Sequence, residues 1–295
     1  MNRRMRVGLV LLAAGLGVAW LARQLSLSTH ASPSSDDVTV TIRPAGPRTA
    51  SAKRAPAVGD NGYGSVSGQV VLVGEIPELP DLAPPAEMMK PEDALCVADG
   101  VPDESLIVDR DTRGIANVFV YLPKATHGIH PDLRTSQETR VVTEIKGCRY
   151  LPHALLARTD QQVVVRFLDP LPHNVHTRPK RNREPRFFTF PDANHEIVRR
   201  FAIPEWQPIS VVCDLHTWMK AWWLILDHPY AAISDASGKF TIAHMPAGDY
   251  DFVVWHEKCG HIHRSLKVKV RADETIDLGE FRVPAEKFED SKQAF

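Results

Sequence analysis

Short β-branched runs, cut apart by prolines and turn residues, leave this chain little choice but a β architecture. Strand-like runs occupy 65–73, 106–108, 116–122, 149–151, 162–168, 196–201, 209–213 and 221–226, then 238–242, 250–256, 266–270 and 280–283. Val163, Val165 and Phe167 alternate with Val164 and Arg166, the two-residue period of a half-buried strand. Val118, Val120 and Leu122 share one face in the same way. The 23 prolines suit turns and edge strands and oppose helix interiors. Asp-Ala-Ser-Gly at 235–238 and Met-Pro-Ala-Gly-Asp at 245–249 are turn chemistry. One short helix is expected at 86–95, inside a proline-rich loop at 79–103. Many short strands between turns imply an all-β sandwich or small barrel.

The N-terminus reads differently. Arg3, Arg4 and Arg6 precede an apolar run at 7–22 that Arg23 closes. A spanning helix needs about 20 apolar residues, so residues 1–25 fit a secretory signal peptide or a membrane anchor. Thr29-His30-Ala31 is a weak cleavage candidate. Either reading places the remainder in an oxidising, extracytoplasmic space such as the periplasm. Residues 26–63 are rich in Ser, Pro, Ala, Thr and Arg, and are expected to be a disordered linker. A net charge of −1 argues against a dedicated nucleic-acid binder.

Two segments carry chemistry. One is Leu171-Pro-His-Asn-Val-His176; the other is Val212-Cys-Asp-Leu-His-Thr-Trp-Met219, directly after an apolar strand. The separation between them leaves room for two or three strands, so the fold can bring them together. A thiolate, two imidazoles and a weak thioether form the soft trigonal field of an electron-transfer copper site. One tight loop supplies Cys213, His216 and Met219, and a remote histidine ties the site to the rest of the fold. Zinc is a poorer fit, since it seldom takes methionine.

At these residues the chain resembles the cupredoxins, amicyanin-like members above all. The family pattern is Pro-His-Asn-Val-His followed by Cys-x2-His-Pro-Phe-Met. Here it reads Pro172-His173-Asn174-Val175-His176 and Cys213-Asp214-Leu215-His216-Thr217-Trp218-Met219. The resemblance implies a Greek-key sandwich over 107–227 and one mononuclear type 1 copper. It implies His173, Cys213 and His216 as equatorial ligands, Met219 as the axial one, and Asn174 as the residue tying the two loops. His176 is then a neighbouring strand residue. Thr217 stands where the family has proline, which bears on hydrogen bonding around the site and removes no ligand.

Residues 228–285 resemble the carboxypeptidase regulatory-like, transthyretin-like β-sandwich, through Ser234-Asp-Ala-Ser-Gly-Lys-Phe240 and Met245-Pro-Ala-Gly-Asp-Tyr250. The opening strand of such folds often carries Gly-x-Val, as in Gly68-Gln-Val70. The 64–106 segment is therefore read as the first strands of that sandwich, with the copper segment inserted; the test is whether 64–75 pairs with 228–283. Residues 286–295 are expected to be a tail.

Weaker signals remain. His256, Cys259, His261 and His263 could hold a second metal or form a polar loop. Cys96 and Cys148 are the first disulfide candidates, with Cys148–Cys259 the alternative. The basic run at 178–186 directly follows the first ligand segment, where it could steer an acidic partner or simply be a solvated loop. No hydrolase, phosphate-loop or zinc-protease motif is present in the sequence. The expected function is an exported electron carrier, not an enzyme, served by a cytochrome or dehydrogenase partner. The alternative is a copper-binding or scaffold module of the cell envelope without redox turnover.

Overall fold

A computed structural model describes residues 39–41, 62–82, 94–98, 100–183 and 194–289. Its strands are β1 Thr39–Thr41, β2 Tyr63–Val73, β3 Phe119–Tyr121, β4 Arg140–Ile145, β5 Tyr150–Leu151, β6 Ala154–Arg158, β7 Gln162–Phe167 and β8 His176–Thr177. They continue as β9 His195–Arg199, β10 Ile209–Val212, β11 Lys220–Leu226, β12 Ala231–Ile233, β13 Lys239–Pro246, β14 Gly248–His256, β15 Gly260–Val270 and β16 Thr275–Pro284. Helix among the described residues is limited to the single turns α1 Ala94–Val97 and α2 Glu286–Glu289 and a 3-10 turn at Pro131–Leu133. The protein is all-β.

Among the described residues four sheets form, ordered β1-β16-β2-β13, β12-β3-β14-β15, β6-β11-β10-β8 and β5-β4-β7-β9. Side-chain alternation pairs them into two sandwiches. Val118, Val120 and Leu122 enter one core with Val66, Val70 and Phe281. Ala221, Trp223 and Ile225 of β11 enter a second with Val163, Val165, Phe167 and Val211. The opposite faces of β3 and β11 meet each other. Phe119, Tyr121, Trp222, Leu224 and Leu226 cluster with Val253 and Trp255. The sandwiches thus stack back to back. The Trp222 and Trp255 rings lie 4.8 Å apart at 61°, a geometry worth about 0.5–1.5 kcal/mol beyond its buried area. Covered on both faces, β11 reads as an unbroken apolar run after Lys220.

The segments flanking the ligand region build one sandwich together. β2 lies between β16, which it pairs in parallel from Ser65 to Val73, and β13, which it pairs antiparallel. The turn at 235–238 closes against this sheet. Gly238 has φ +78°, and a Cβ there would fall 2.1 Å from the Val70 carbonyl oxygen, so no larger residue fits without a shift.

Several expectations change. Residues 116–122 fall within the 107–227 segment expected to carry the copper site, yet β3 is hydrogen-bonded to β12 and β14 of the other sandwich. Strands of the ligand-bearing sandwich begin only at β4. The strand expected at 106–108 shrinks to an isolated Val108–Ile115 bridge. Asn117, at φ +62°, ends the extended backbone ahead of β3. In the expected linker, the β-branched Thr39–Thr41 pairs with β16. In the expected tail, Phe288 is 1 % exposed and fills the first core. Residues 83–93, most of the helix expected at 86–95, lie outside the described residues, and α1 begins at Ala94. The 1–25 segment also lies outside them, as does the remainder of the linker up to residue 61. No described helix is long and apolar enough to cross a membrane.

A buried ion pair joins the sandwiches. Glu257, in the β14–β15 turn, pairs through one carboxylate oxygen with His153 Nε2, and its other oxygen accepts from Trp222 Nε1 at 2.8 Å. Burial opposes the charged imidazolium, but the hydrogen bond and charge of Glu257, with Glu104 behind it, raise the His153 pKa above 6.5. Burial likewise opposes the Glu257 carboxylate, but His153 and Trp222 hold its pKa below 4.5. The histidine's contribution to stability is complete below pH 6.5 and lost as pH rises through its folded value. The carboxylate's is complete above pH 4.5 and lost as pH falls through its folded value. Denaturant unfolding should therefore show a contribution that is largest between these limits. Glu257→Ala should cost about 3–5 kcal/mol and flatten the decline above pH 6.5. An unchanged pH profile would exclude the pair as a lock between the sandwiches.

Candidate metal centre

The β10–β11 connection folds back on itself. Cys213 N–H donates to the Met219 carbonyl at 3.2 Å, and Met219 N–H donates to the His216 carbonyl at 2.9 Å. Cys213, His216 and Met219 are thereby held on one closed loop. The other segment approaches through β8, where His176 lies opposite Val212 and Thr177 opposite Val211. Asn174 bridges the two: its Oδ1 accepts from Asp214 N at 2.9 Å, and its Nδ2 donates to Asp214 Oδ2 at 3.0 Å. His176 Nδ1 also contacts Asp214 Oδ1 at 2.9 Å.

The result is a cluster of soft and imidazole donors. Cys213 Sγ lies 3.7 Å from His216 Nδ1, and His216 Nδ1 lies 3.1 Å from His173 Nδ1. One ligand atom from each of the three falls within 4.8 Å of the others. First-row metal bonds of about 2.0 Å to imidazole and about 2.3 Å to thiolate, opened at roughly 100–120°, separate sulfur from nitrogen by about 3.3–3.7 Å and nitrogen from nitrogen by about 3.1–3.5 Å. The observed spacings match those values, so the donors fit a single ion. His173 is fully buried, Cys213 and Met219 are 1 % exposed, and His216 is 3 % exposed. Met219 shares the second core with Cys213.

The thiol is prepared to ionise. Burial alone would raise its pKa. His173, His216 and the backbone N–H groups of Asn174 and His216 outweigh burial and bring it down to about 6 in the metal-free protein. Behind His173 stands Asp169, whose Oδ2 lies 3.2 Å from Nε2, off the line of a well-aligned hydrogen bond. Asp169 accepts from the Gly147 and Cys148 amides at 2.7 Å each. Burial opposes its charge, but His173 and these amides keep its pKa below 3.8. Cys148 is disulfide-bonded to Cys96, with Cα atoms 5.3 Å apart. That pairing rules out Cys148–Cys259, and Cys259 is a free thiol. Tyr150 OH donates to the Asn174 carbonyl at 2.6 Å.

Asp169 and Tyr150 went unnoticed in sequence. An acidic residue four before His173 was the available signal for the first; nothing local marked the second. The possible second metal group does not assemble. His256 accepts from Lys258 N, packs on Phe288, and is pushed by burial to a pKa of about 4. Burial pushes the Cys259 thiol up to about 12. Among the described residues, the other metal-like group is Cys148, Asp169 and His173, in which Cys148 is already in the disulfide.

No family model matches the chain, and no curated protein does. Partial likenesses exist among solved structures. A Cu-containing nitrite reductase from Thermus scotoductus SA-01 aligns over 29% of this chain and 22% of its own, at 16% identity and TM-score 0.24. The chain therefore spans less than a quarter of that enzyme. A purple cupredoxin from Nitrosopumilus maritimus aligns over 29% of this chain and 98% of its own, at 16% identity and TM-score 0.24. A Cu(I) form of an amicyanin variant aligns over 30% and 82%, at 16% identity and TM-score 0.26. At such scores the site is judged on its own donors.

Ultraviolet titration of the metal-free protein should show thiolate absorbance appearing with a midpoint near pH 6, well below the ordinary thiol value of 9. Cys213→Ser should abolish that transition. A midpoint near 9 would mean that the imidazoles do not face the sulfur.

Proposed function

We propose that this chain is an extracytoplasmic copper protein that carries single electrons through one mononuclear type 1 centre, held by His173, Cys213, His216 and Met219. One observation carries the reading: a sulfur disposed to ionise and two imidazole nitrogens converge, almost completely buried, at spacings that suit one metal ion. A copper ion bound there would supply one-electron chemistry between its two common oxidation states.

The chain's own part is to hold the donors and keep water out. Asn174 and Asp214 fix the spacing of the two loops. Asp169 orients the His173 ring from behind. Burial to 3 % or less denies a substrate access to the donors, whereas electron exchange needs no such contact. This favours a carrier over an enzyme. The Cys96–Cys148 disulfide supports an oxidising compartment. Export by the 1–25 segment and exchange with a cytochrome or dehydrogenase complete the proposal, with the transthyretin-like sandwich as the scaffold.

Copper loading followed by visible spectroscopy and voltammetry tests it. The Cu(II) protein should show intense thiolate-to-copper charge transfer and reversible reduction. Cys213→Ala should lose the band. Met219→Leu should keep the band and raise the potential, because the axial ligand tunes it. A colourless Cu(II) protein, or a band that survives Cys213→Ala, would reject the reading.

A further inference from the structure

The basic run begins beside the candidate metal loop, where Arg178 and Lys180 share a pocket with Val212 and Lys220, and its next residues lead toward the other end of β11. β11 starts beside the ligand loop and spans seven residues at about 3.3 Å each, so its ends lie roughly 20 Å apart. Glu205 N–H donates to the Ile225 carbonyl near the far end. The Glu205 carboxylate, in a residue 2 % exposed, accepts from the backbone N–H groups of Lys180, Arg181 and Asn182 at 2.9–3.2 Å. Asn182 ties the same loop to the chain at Ala202 and Ile203. A buried carboxylate is thus spent on holding residues 180–182 of a basic surface loop in one shape.

That loop borders a cleft of about 1080 Å³ where the two sandwiches meet. Arg181 lies 5.3 Å from the ring centroid of Trp206 and is braced on the Pro204 carbonyl at 2.7 Å. Trp206 is 69 % exposed even so. Its backbone is fixed from the other sandwich, by Tyr121 OH donating to its carbonyl at 3.2 Å. Lys124 and Arg134, both exposed, line the cleft with Arg181. Of its acids, Asp227 is exposed, whereas Glu205 is turned inward to backbone amides. The groups facing outward therefore carry excess positive charge.

We propose that this cleft is a binding site for a carboxylate-bearing oligosaccharide, separate from the metal centre. An exposed indole offers a flat apolar plate for the C–H face of a sugar ring. Guanidinium groups match carboxylates in a two-pronged geometry and stack on aromatic rings while doing so. Clefts of this size at the junction of two folded layers are typical ligand sites. The polar, cationic lining favours a charged sugar chain over a peptide that would need apolar pockets. Such a site would hold the protein to an acidic polymer while leaving the metal end of β11 exposed to a partner.

Isothermal titration and tryptophan fluorescence on the full chain decide it, with a uronic-acid tetrasaccharide, a neutral tetrasaccharide, inorganic phosphate and a short polyglutamate as probes. The uronic-acid chain should bind saturably, and the neutral chain about tenfold more weakly or worse. Trp206→Ala and Arg181→Ala should each weaken binding about tenfold, with unchanged β circular dichroism and unchanged unfolding midpoint. The proposal is overturned if the uronic-acid chain fails to bind, if polyglutamate or phosphate binds as well as it does, or if Trp206→Ala binds like the parent.

Discussion

Two hydrogen bonds between Asn174 and Asp214 hold the centre of this molecule together. A sulfur and two imidazole nitrogens do not face one another in a protein interior unless their loops are fixed from both sides. Asn174 does this with both ends of its amide, one accepting from the Asp214 backbone and one donating to its side chain. The cost of burying the amide is offset because each polar end is paired. Tyr150 then holds the Asn174 carbonyl, which links the ligand loop to the opposite sheet of the same sandwich.

A second line of support runs from the disulfide to the donors. Cys148 and Gly147 both adopt positive φ, and this turn presents two adjacent amides to Asp169. Asp169 in turn faces His173. The Cys96–Cys148 bond therefore closes a loop whose far end orients a donor histidine. Reduction of that bond would free the turn whose two amides hold Asp169 in place.

The back-to-back stacking of the sandwiches gives the molecule two separate ends. β11 carries the ligand loop at its start and leads into the large cleft at its finish. Because it is buried on both faces, it is a rigid spacer between them. The His153–Glu257 pair and the tryptophan contact behind it fix the angle at which the sandwiches meet.

The grouping of His173, Cys213 and His216 was legible in the sequence. Cys213, His216 and Met219 lie within one loop, so their spacing alone constrains where they can point. His173 was legible from the residues around it. Asp169 and Tyr150 were not, because nothing in their own neighbours marks what they will touch. The sequence also misplaced β3. Strand character is local, written in alternating side chains and in proline or glycine stops, and on that basis the all-β class could be read directly. Which sheet a strand joins depends on backbone groups far away in the chain. So β3 could be recognised as a strand but not assigned to the sandwich of β12 and β14. The basic run could be recognised as charged, but only the buried Glu205 carboxylate decided that Arg181 is held at the edge of the cleft.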